Sequence, residues 1–250
     1  SWLVSADRSH HMTAQHSPFL MLGGIVPCPG GWLVMPARLA NATVIMEPSV
    51  VLPTLTEVLD YKPTFEAAAI HAPIGLHDSP VEPYRPCDAE ARKIVGWPRL
   101  VAIRPVPSRA ALRAESLEAA RALEPWLTKD DLRWFRWWRE AEVAFQPFHQ
   151  RTWFASHPEL SFFMMNGDEQ LTSSPYSADG HAQRRKLVLE RMQGTEDLLD
   201  GTPPVGAGHV HVLRAAALLW TARRATGRAV NRLPADPTWD DTGLRMELVR

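Results

Sequence analysis

Side chains able to do acid-base or binding chemistry follow apolar segments of this sequence. His71 ends the run AAAI at residues 67–70 and precedes Ala-Pro-Ile-Gly, which predicts a buried strand and an abrupt exit from the sheet. His157 follows the predicted strand TWFAS and begins the motif His-Pro-Glu, which ends at Glu159. Ligands of open α/β sheets bind beyond the carboxyl ends of the strands, so these residues predict a site at that edge. The alternative for His71 is a hydrogen-bonded histidine of the core.

A predicted buried helix carries two further polar residues. The segment HVHVLRAAALLWTARR is apolar nearly all round, except that His211 and Arg214 share one face at spacing i, i+3. An arginine inside a buried helix is costly without a partner, so this face is expected to meet a cavity, an anion or a carboxylate such as Glu159. Cys28, at the end of the first predicted strand, is expected at the same pocket edge, with a structural thiol as the alternative to a nucleophile.

Three histidines and an arginine in one pocket favour two kinds of chemistry. Imidazoles act as general acids and bases and as ligands of zinc or other transition metals. Arg214 would repel a cation and attract a phosphate or a carboxylate. We therefore predict an anionic or polar small-molecule ligand and no cofactor, with zinc or another transition metal as the alternative.

The composition sets broad limits on partners. Of the 250 residues, 45% are hydrophobic and 22% charged, as is usual for a globular protein. The formal net charge of -1 provides no overall field to attract nucleic acid. No apolar run approaches the roughly 18 residues of a membrane span, and the two cysteines favour a reducing compartment. We predict a cytoplasmic protein for which nucleic acid and membranes are not partners.

The elements that position the candidate residues begin with the pattern βββαβ. Apolar runs predict strands at 19–26, 32–39, 42–46 and 67–71, with a helix at 51–60 before the last of them. A mainly helical insertion is predicted at about 77–151, including one helix at 108–123. The insertion is followed by a predicted strand at 152–156, helices at 177–194 and from 209 to Gly227, and a strand at 244–249. We predict one domain over residues 12–250 and interpret residues 1–11 as an expression-tag remnant.

Within the insertion, the segment KDDLRWFRWWREAEVAFQPF places aromatic residues among arginines at helical spacing. Such interleaving is typical of surfaces that stack and clamp single-stranded nucleic acid. Trp134, Trp137 and Trp138, however, cover too much of the helix circumference for one open groove. The pattern therefore favours a packing helix or a homodimer contact.

Eight short segments occur in the order and spacing of a known family. They are GGIVPCPGGWLV, IHAPIGL, YRPCDAEAR, PSRAAL, HPELSF, ADGHAQRR, HVLRAAALLWTA and GLRMEL. In these segments the chain resembles the domain-of-unknown-function 429 family (DUF429), whose members are described as predicted nucleases of the RNase H fold. The resemblance implies an α/β architecture with an RNase H-like five-stranded mixed sheet, its first three strands antiparallel, flanked by helices. It also implies that the strands ending at Val26 and His71 are neighbours.

The same resemblance implies an acidic active site, from which this sequence departs. Where the family pattern has carboxylates, the chain has Val26, His71, Ala155, His211 and Arg214. RNase H-type cleavage requires clustered carboxylates that hold two hard cations. We therefore predict a divergent member that has lost two-metal nuclease activity and binds an anionic or polar ligand in the former active-site pocket.

Two other functions remain as alternatives at this stage. The first is a repurposed enzyme with a histidine-rich site, and the second is a metal-dependent nuclease. The candidate catalytic residues are His71, His157, Glu159 and His211. The candidate ligand-binding residues are Arg214 and Cys28.

Overall fold

The computed structural model describes residues 19–81 and 84–250, so the tag remnant proposed for residues 1–11 lies outside the described residues. The strands are β1 (Leu20–Cys28), β2 (Gly31–Ala40), β3 (Thr43–Met46), β4 (Val50–Leu52), β5 (Ala67–Ile70), β6 (Trp153–Ala155), β7 (Arg232–Trp239) and β8 (Arg245–Val249). The α-helices are α1 (Leu55–Leu59), α2 (Pro86–Val95), α3 (Arg109–Leu112), α4 (Leu117–Leu123), α5 (Leu132–Ala144), α6 (Pro158–Met165), α7 (Ala178–Arg191), α8 (Glu196–Asp200) and α9 (His209–Thr226). Short 3-10 helices span Arg99–Ala102 and Pro147–Arg151.

A mixed sheet forms the centre of the protein, in agreement with the predicted α/β class. Its order is β3-β2-β1-β5-β6, and β4 pairs with β2. Strands β1, β2 and β3 are antiparallel, β5 runs parallel to β1, and β6 runs parallel to β5. Ile25 pairs with Ile70, and the amide of His71 donates to the Ile25 carbonyl at 2.9 Å. The predicted adjacency of the first strand and the strand before His71 is therefore confirmed.

The prediction of five strands is wrong, because this sheet has six. Residues 51 and 52, expected to open the helix at 51–60, instead belong to the additional strand β4. Pro53 disfavours the helical conformation of the residue before it. Helix α1 then begins after Thr54, whose side chain accepts the amide hydrogen of Glu57 as an N-cap.

Other elements also differ from the sequence predictions, and α6 and α8 were not predicted. The helix expected at 108–123 is divided into α3 and α4, because Ser116 caps a new helix by accepting the amide hydrogen of Ala119 at 3.1 Å. Strand β7 was not predicted; it pairs with β8 in a separate two-stranded sheet. Its sequence RLPADPTW contains two prolines, a residue that is depleted in strands.

The close packing of α9 on β1 sets the position of the helix that carries His211 and Arg214. All residues of β1 after Leu20 are buried, so both faces of this strand are covered. A Cβ atom at Gly24 would lie 2.1 Å from the carbonyl oxygen of Ala215 and 2.5 Å from the amide nitrogen of Leu219. Only glycine at this position allows α9 to approach the sheet so closely.

The segment between β5 and β6 contains α2 to α5 and has a core cluster of its own. This cluster consists of Leu76, Val106, Ala111, Leu112, Ala120, Leu127, Phe135 and Trp138. The buried Arg109 connects the segment to the β7–β8 hairpin, since its guanidinium donates to Asp240 at 2.6 Å and to the Leu76 carbonyl at 3.0 Å. Helix α5 lies at the edge of the central sheet where β1 ends and β2 begins, since Trp137 donates to the Gly31 carbonyl at 3.0 Å.

Candidate functional site

Two adjoining cavities lie beyond the carboxyl ends of β1, β5 and β6. The first, here called the histidine cavity, has about 350 Å³ of empty volume, and its lining includes His71, Trp134, His157, Glu159, Tyr176 and Arg214. The second, called the tryptophan cavity, has about 980 Å³, and its lining includes Cys28, Trp134, Trp137, Tyr176, His211 and Arg214. Trp134, Tyr176 and Arg214 line both cavities.

His71 and His157 are in direct contact in the histidine cavity. Their ring centroids are 4.4 Å apart with an interplanar angle of 74°. His157 is the N-cap of α6, because its Nδ1 accepts the amide hydrogen of Glu159 at 3.1 Å. An accepting Nδ1 carries no proton, so the neutral ring bears its proton on Nε2. The His-Pro-Glu motif thus has a structural role at the start of a helix.

Burial keeps the three histidines of the site uncharged at neutral pH. Desolvation is the largest cause that lowers the pKa of His71, His157 and His211, and the charge of Arg214 lowers each further. The pKa of His157 falls to about 3, and that of His71 falls well below 6.5. The imidazoles therefore add hydrogen-bonding groups to the site without adding charge.

Glu159 is bound by an arginine that the sequence analysis did not assign to it. The Nε and Nη2 atoms of Arg184 donate to its two carboxylate oxygens at 2.8 and 2.6 Å. Both residues are buried, and Arg184 also donates to the Gly180 carbonyl at 2.9 Å. Sequence analysis offered Glu159 as one partner for Arg214, but in the structure this carboxylate pairs with Arg184 on α7.

Arg214 stands apart from the other charged residues that line the two cavities. Those residues form the ion pairs Glu159–Arg184 at 2.6 Å, Arg104–Asp131 at 2.7 Å and Arg133–Asp130 at 3.6 Å. Among the described residues, no carboxylate lies within ion-pair distance of the Arg214 guanidinium. Burial lowers the pKa of Arg214 below its ordinary value, although the nearby Glu159 carboxylate favours its charge. One partly buried positive charge is thus left without an anionic partner.

His211 and Cys28 lie in the tryptophan cavity. The Nδ1 atom of His211 accepts the amide hydrogen of Gly208 at 3.0 Å, in the first turn of α9. Cys28 is 1% exposed, and desolvation raises the pKa of its thiol. A protonated, buried thiol is a poor nucleophile, which favours the structural alternative for Cys28.

The predicted site residues are therefore divided between two cavities that meet at Arg214. His71, His157 and Glu159 line one cavity, and His211 and Cys28 line the other. Within residues 19–81 and 84–250, no three His, Cys, Asp or Glu side chains are grouped as a metal ion would require. The three histidines thus do not form a zinc ligand set in this part of the chain.

Sequence analysis did not assign Trp134 and Trp137 to the site, although both line the tryptophan cavity. The Trp134 ring lies 5.2 Å from the His71 ring and 5.9 Å from the Trp137 ring, measured between centroids. The Nε1 atom of Trp137 donates to the Gly31 carbonyl at 3.0 Å, which fixes its ring. Helical periodicity identified these tryptophans as packing residues, but it contains no information on which cavity α5 would cover.

A third cavity also borders the histidine pair. This Arg85 cavity has about 440 Å³ of empty volume, and His71, Arg85, Asp88, Trp134, Ser156 and His157 are among its lining residues. Arg85 donates to both carboxylate oxygens of Asp88 at 2.9 and 2.8 Å. Asp88 also accepts the amide hydrogen of Val106 at 3.1 Å. The charges of the Arg85 cavity are paired, in contrast to Arg214.

Fold and site define a mixed α/β protein with a cationic, aromatic-lined cavity at the carboxyl edge of its sheet. The family model described as "Protein of unknown function (DUF429)" matches residues 24–238, and the chain therefore belongs to this family. No curated protein and no solved structure gives a significant match. None of the helices in residues 19–81 and 84–250 combines the length and the apolar character that a membrane crossing requires.

Proposed function

We propose that this protein is a divergent RNase H-like member of DUF429 that has lost two-metal nuclease activity and binds an anionic small molecule at Arg214. The antiparallel arrangement of β1 to β3 and the helices beside the sheet support the RNase H-like classification. The observation that carries the functional proposal is the guanidinium of Arg214, which lines both cavities without a carboxylate partner among the described residues. A partly buried charge without a partner is costly, and a bound anion would supply that partner.

The surroundings of Arg214 favour an anion over a cation. Neutral histidines offer N–H donors, and the ring of His211 carries its proton on Nε2 because Nδ1 already accepts a hydrogen bond. The carboxylates that line the two cavities, Glu159 and Asp130, each pair with an arginine. Two divalent cations would need several free carboxylate oxygens in one place, which these pairs do not offer.

Acid-base catalysis by the histidines is less favoured. A general base works best with a pKa near the operating pH, whereas burial holds the pKa of His157 at about 3 and that of His71 well below 6.5. The repurposed-enzyme alternative therefore requires a bound substrate to raise these values substantially.

The proposal is tested by titrating the protein with inorganic phosphate, sulfate and acetate at constant ionic strength, using calorimetry and thermal unfolding. At least one of these anions should bind, and Arg214→Gln should weaken it about 10- to 100-fold, because a hydrogen bond to a charged group contributes roughly 1.5–3 kcal/mol. Arg121→Gln is the matched control, since Arg121 is an exposed residue of α4. Absence of binding by all three anions, or equal binding by Arg214→Gln, would contradict the proposal.

The loss of nuclease activity has its own assay. Purified protein incubated with Mg²⁺ or Mn²⁺ and with RNA, DNA or a hybrid should leave each substrate intact. Metal-dependent cleavage that disappears in Glu159→Gln would restore the nuclease alternative. Stoichiometric zinc that is lost in His71→Ala would support the repurposed-enzyme alternative.

A further inference from the structure

We infer that the anion bound at Arg214 carries a planar aromatic ring that rests against Trp134 and Tyr176. This inference rests on the proposed function and specifies the class of ligand. Trp134, Tyr176 and Arg214 are the residues shared by the histidine and tryptophan cavities, so both rings line the space next to the guanidinium in either cavity. Aromatic rings prefer offset-stacked or edge-to-face contacts with other rings, which aliphatic groups of the same size cannot provide.

The Trp134 side of this site is preorganised. Its ring is nearly parallel to that of Trp138, with an interplanar angle of 21° and centroids 6.2 Å apart. His71 and Trp137 contact it at centroid distances of 5.2 and 5.9 Å. Trp137 is itself held by its hydrogen bond to the Gly31 carbonyl. The binding of a ligand therefore does not cost the conformational entropy of ordering these two tryptophan side chains.

Tyr176 differs from Trp134 in that its aromatic ring remains in contact with solvent. It is 69% exposed although it lines both cavities together with Arg214. A flat ligand placed against this ring would remove apolar surface from water. Tyrosine is suited to such a position because one end of the side chain is apolar and the other polar.

The charges of the site favour a single anionic group on the ligand. Arg104 and Arg133 line the tryptophan cavity but already pair with Asp131 and Asp130. A second anionic group would meet the carboxylate of Asp130, which lines the same cavity. The class of ligand is therefore a planar aromatic ring that carries one carboxylate or one comparable anionic group.

Three small probes separate the contributions of ring and charge. Phenylacetate has both, cyclohexylacetate has the charge without the aromatic ring, and phenylacetamide has the ring without the charge. Calorimetry on the full chain should show that phenylacetate binds about three- to tenfold more tightly than cyclohexylacetate, the range expected for one or two aromatic contacts. Phenylacetamide should bind far more weakly than phenylacetate.

Two variants test the residues that recognise the ring. Tyr176→Leu and Trp134→Leu keep apolar bulk and should abolish the preference for phenylacetate over cyclohexylacetate. Tyr176→Leu changes an exposed side chain and is expected to fold even if Trp134→Leu does not. Trp97→Leu is the control, because Trp97 is 75% exposed and lies outside the lining of both cavities; it should retain the preference.

The outcomes distinguish this inference from the proposed function. Equal binding of phenylacetate and cyclohexylacetate, both weakened by Arg214→Gln, would overturn the aromatic inference and leave anion binding in place. Equal binding of phenylacetamide and phenylacetate would overturn anion binding itself. If no probe binds up to its solubility limit, the aromatic inference is refuted, while the phosphate, sulfate and acetate titrations still test the proposed function.

Discussion

At neutral pH His157 is buried as an uncharged imidazole, and this should make the protein sensitive to mild acid. Its pKa is about 3 in the folded protein, against 6.5 for an ordinary histidine. Because the folded pKa is depressed, the unfolded chain takes up the proton first as the pH falls below 6.5, and the free energy of unfolding decreases until the pH reaches about 3. Each pH unit inside this window removes up to ~1.4 kcal/mol, so His157 alone should cost about 2 kcal/mol between pH 7 and pH 5.

The substitution His157→Asn isolates this effect. Asparagine is a good N-cap, so it can still accept the amide hydrogen of Glu159 at the start of α6, but it does not titrate. His71 and His211 remain and shift in the same direction, so the variant should lose part of the acid sensitivity and keep the rest. His157→Ala is the companion variant and should show the same reduced acid sensitivity as His157→Asn. It should be about 1 kcal/mol less stable than His157→Asn at every pH, because alanine also removes the N-cap of α6.

The assay is urea unfolding followed by tryptophan fluorescence at pH 7, 6 and 5. Wild-type protein should lose roughly 2 kcal/mol more stability than His157→Asn between the highest and the lowest pH. An identical loss in both proteins would show that His157 titrates normally in the folded state. The reasoning from its burial and from the charge of Arg214 would then be refuted.

Three further substitutions or reactions test other parts of the structure. Glu159→Gln should lower the free energy of unfolding by about 3 kcal/mol in urea titrations, because it leaves the buried guanidinium of Arg184 without a counter-charge; an effect below about 1 kcal/mol would contradict the buried pair. Gly24→Ala should lower the free energy of unfolding by about 1–3 kcal/mol, since its Cβ would lie 2.1 Å from the Ala215 carbonyl oxygen. A thermal unfolding midpoint equal to that of the wild type would argue against this packing of α9 on β1. Iodoacetamide should modify Cys28 slowly in the folded protein at pH 8 and rapidly in urea, because burial raises the pKa of this thiol; fast modification without urea, detected by mass spectrometry, would refute its burial.

Strand positions next to the site could be predicted from the sequence alone. The runs before Val26 and His71 are apolar at nearly every residue, which is the pattern of a strand covered on both faces, and these strands are neighbours in the sheet. The resemblance to DUF429 was also visible in the sequence, and the family model matches residues 24–238. Strand β7 was not predictable in the same way, because the two prolines of RLPADPTW conflict with strand composition and only the pairing with β8 overrides them.

The sequence also determined that Arg214 needs a partner, since it lies in a helix that is otherwise apolar. The tertiary structure decided which charges are paired. Arg184, which lies 25 residues after Glu159 in the sequence, binds Glu159 and so leaves Arg214 without that carboxylate. The position of Trp134 beside His71 likewise depends on how α5 packs against the sheet edge. The physical reason is that the tendency of an apolar side chain to be buried belongs to that residue and to its periodic neighbours. An ion pair or a cavity wall instead requires two distant segments to be brought together, and their meeting is set by the packing of the whole chain.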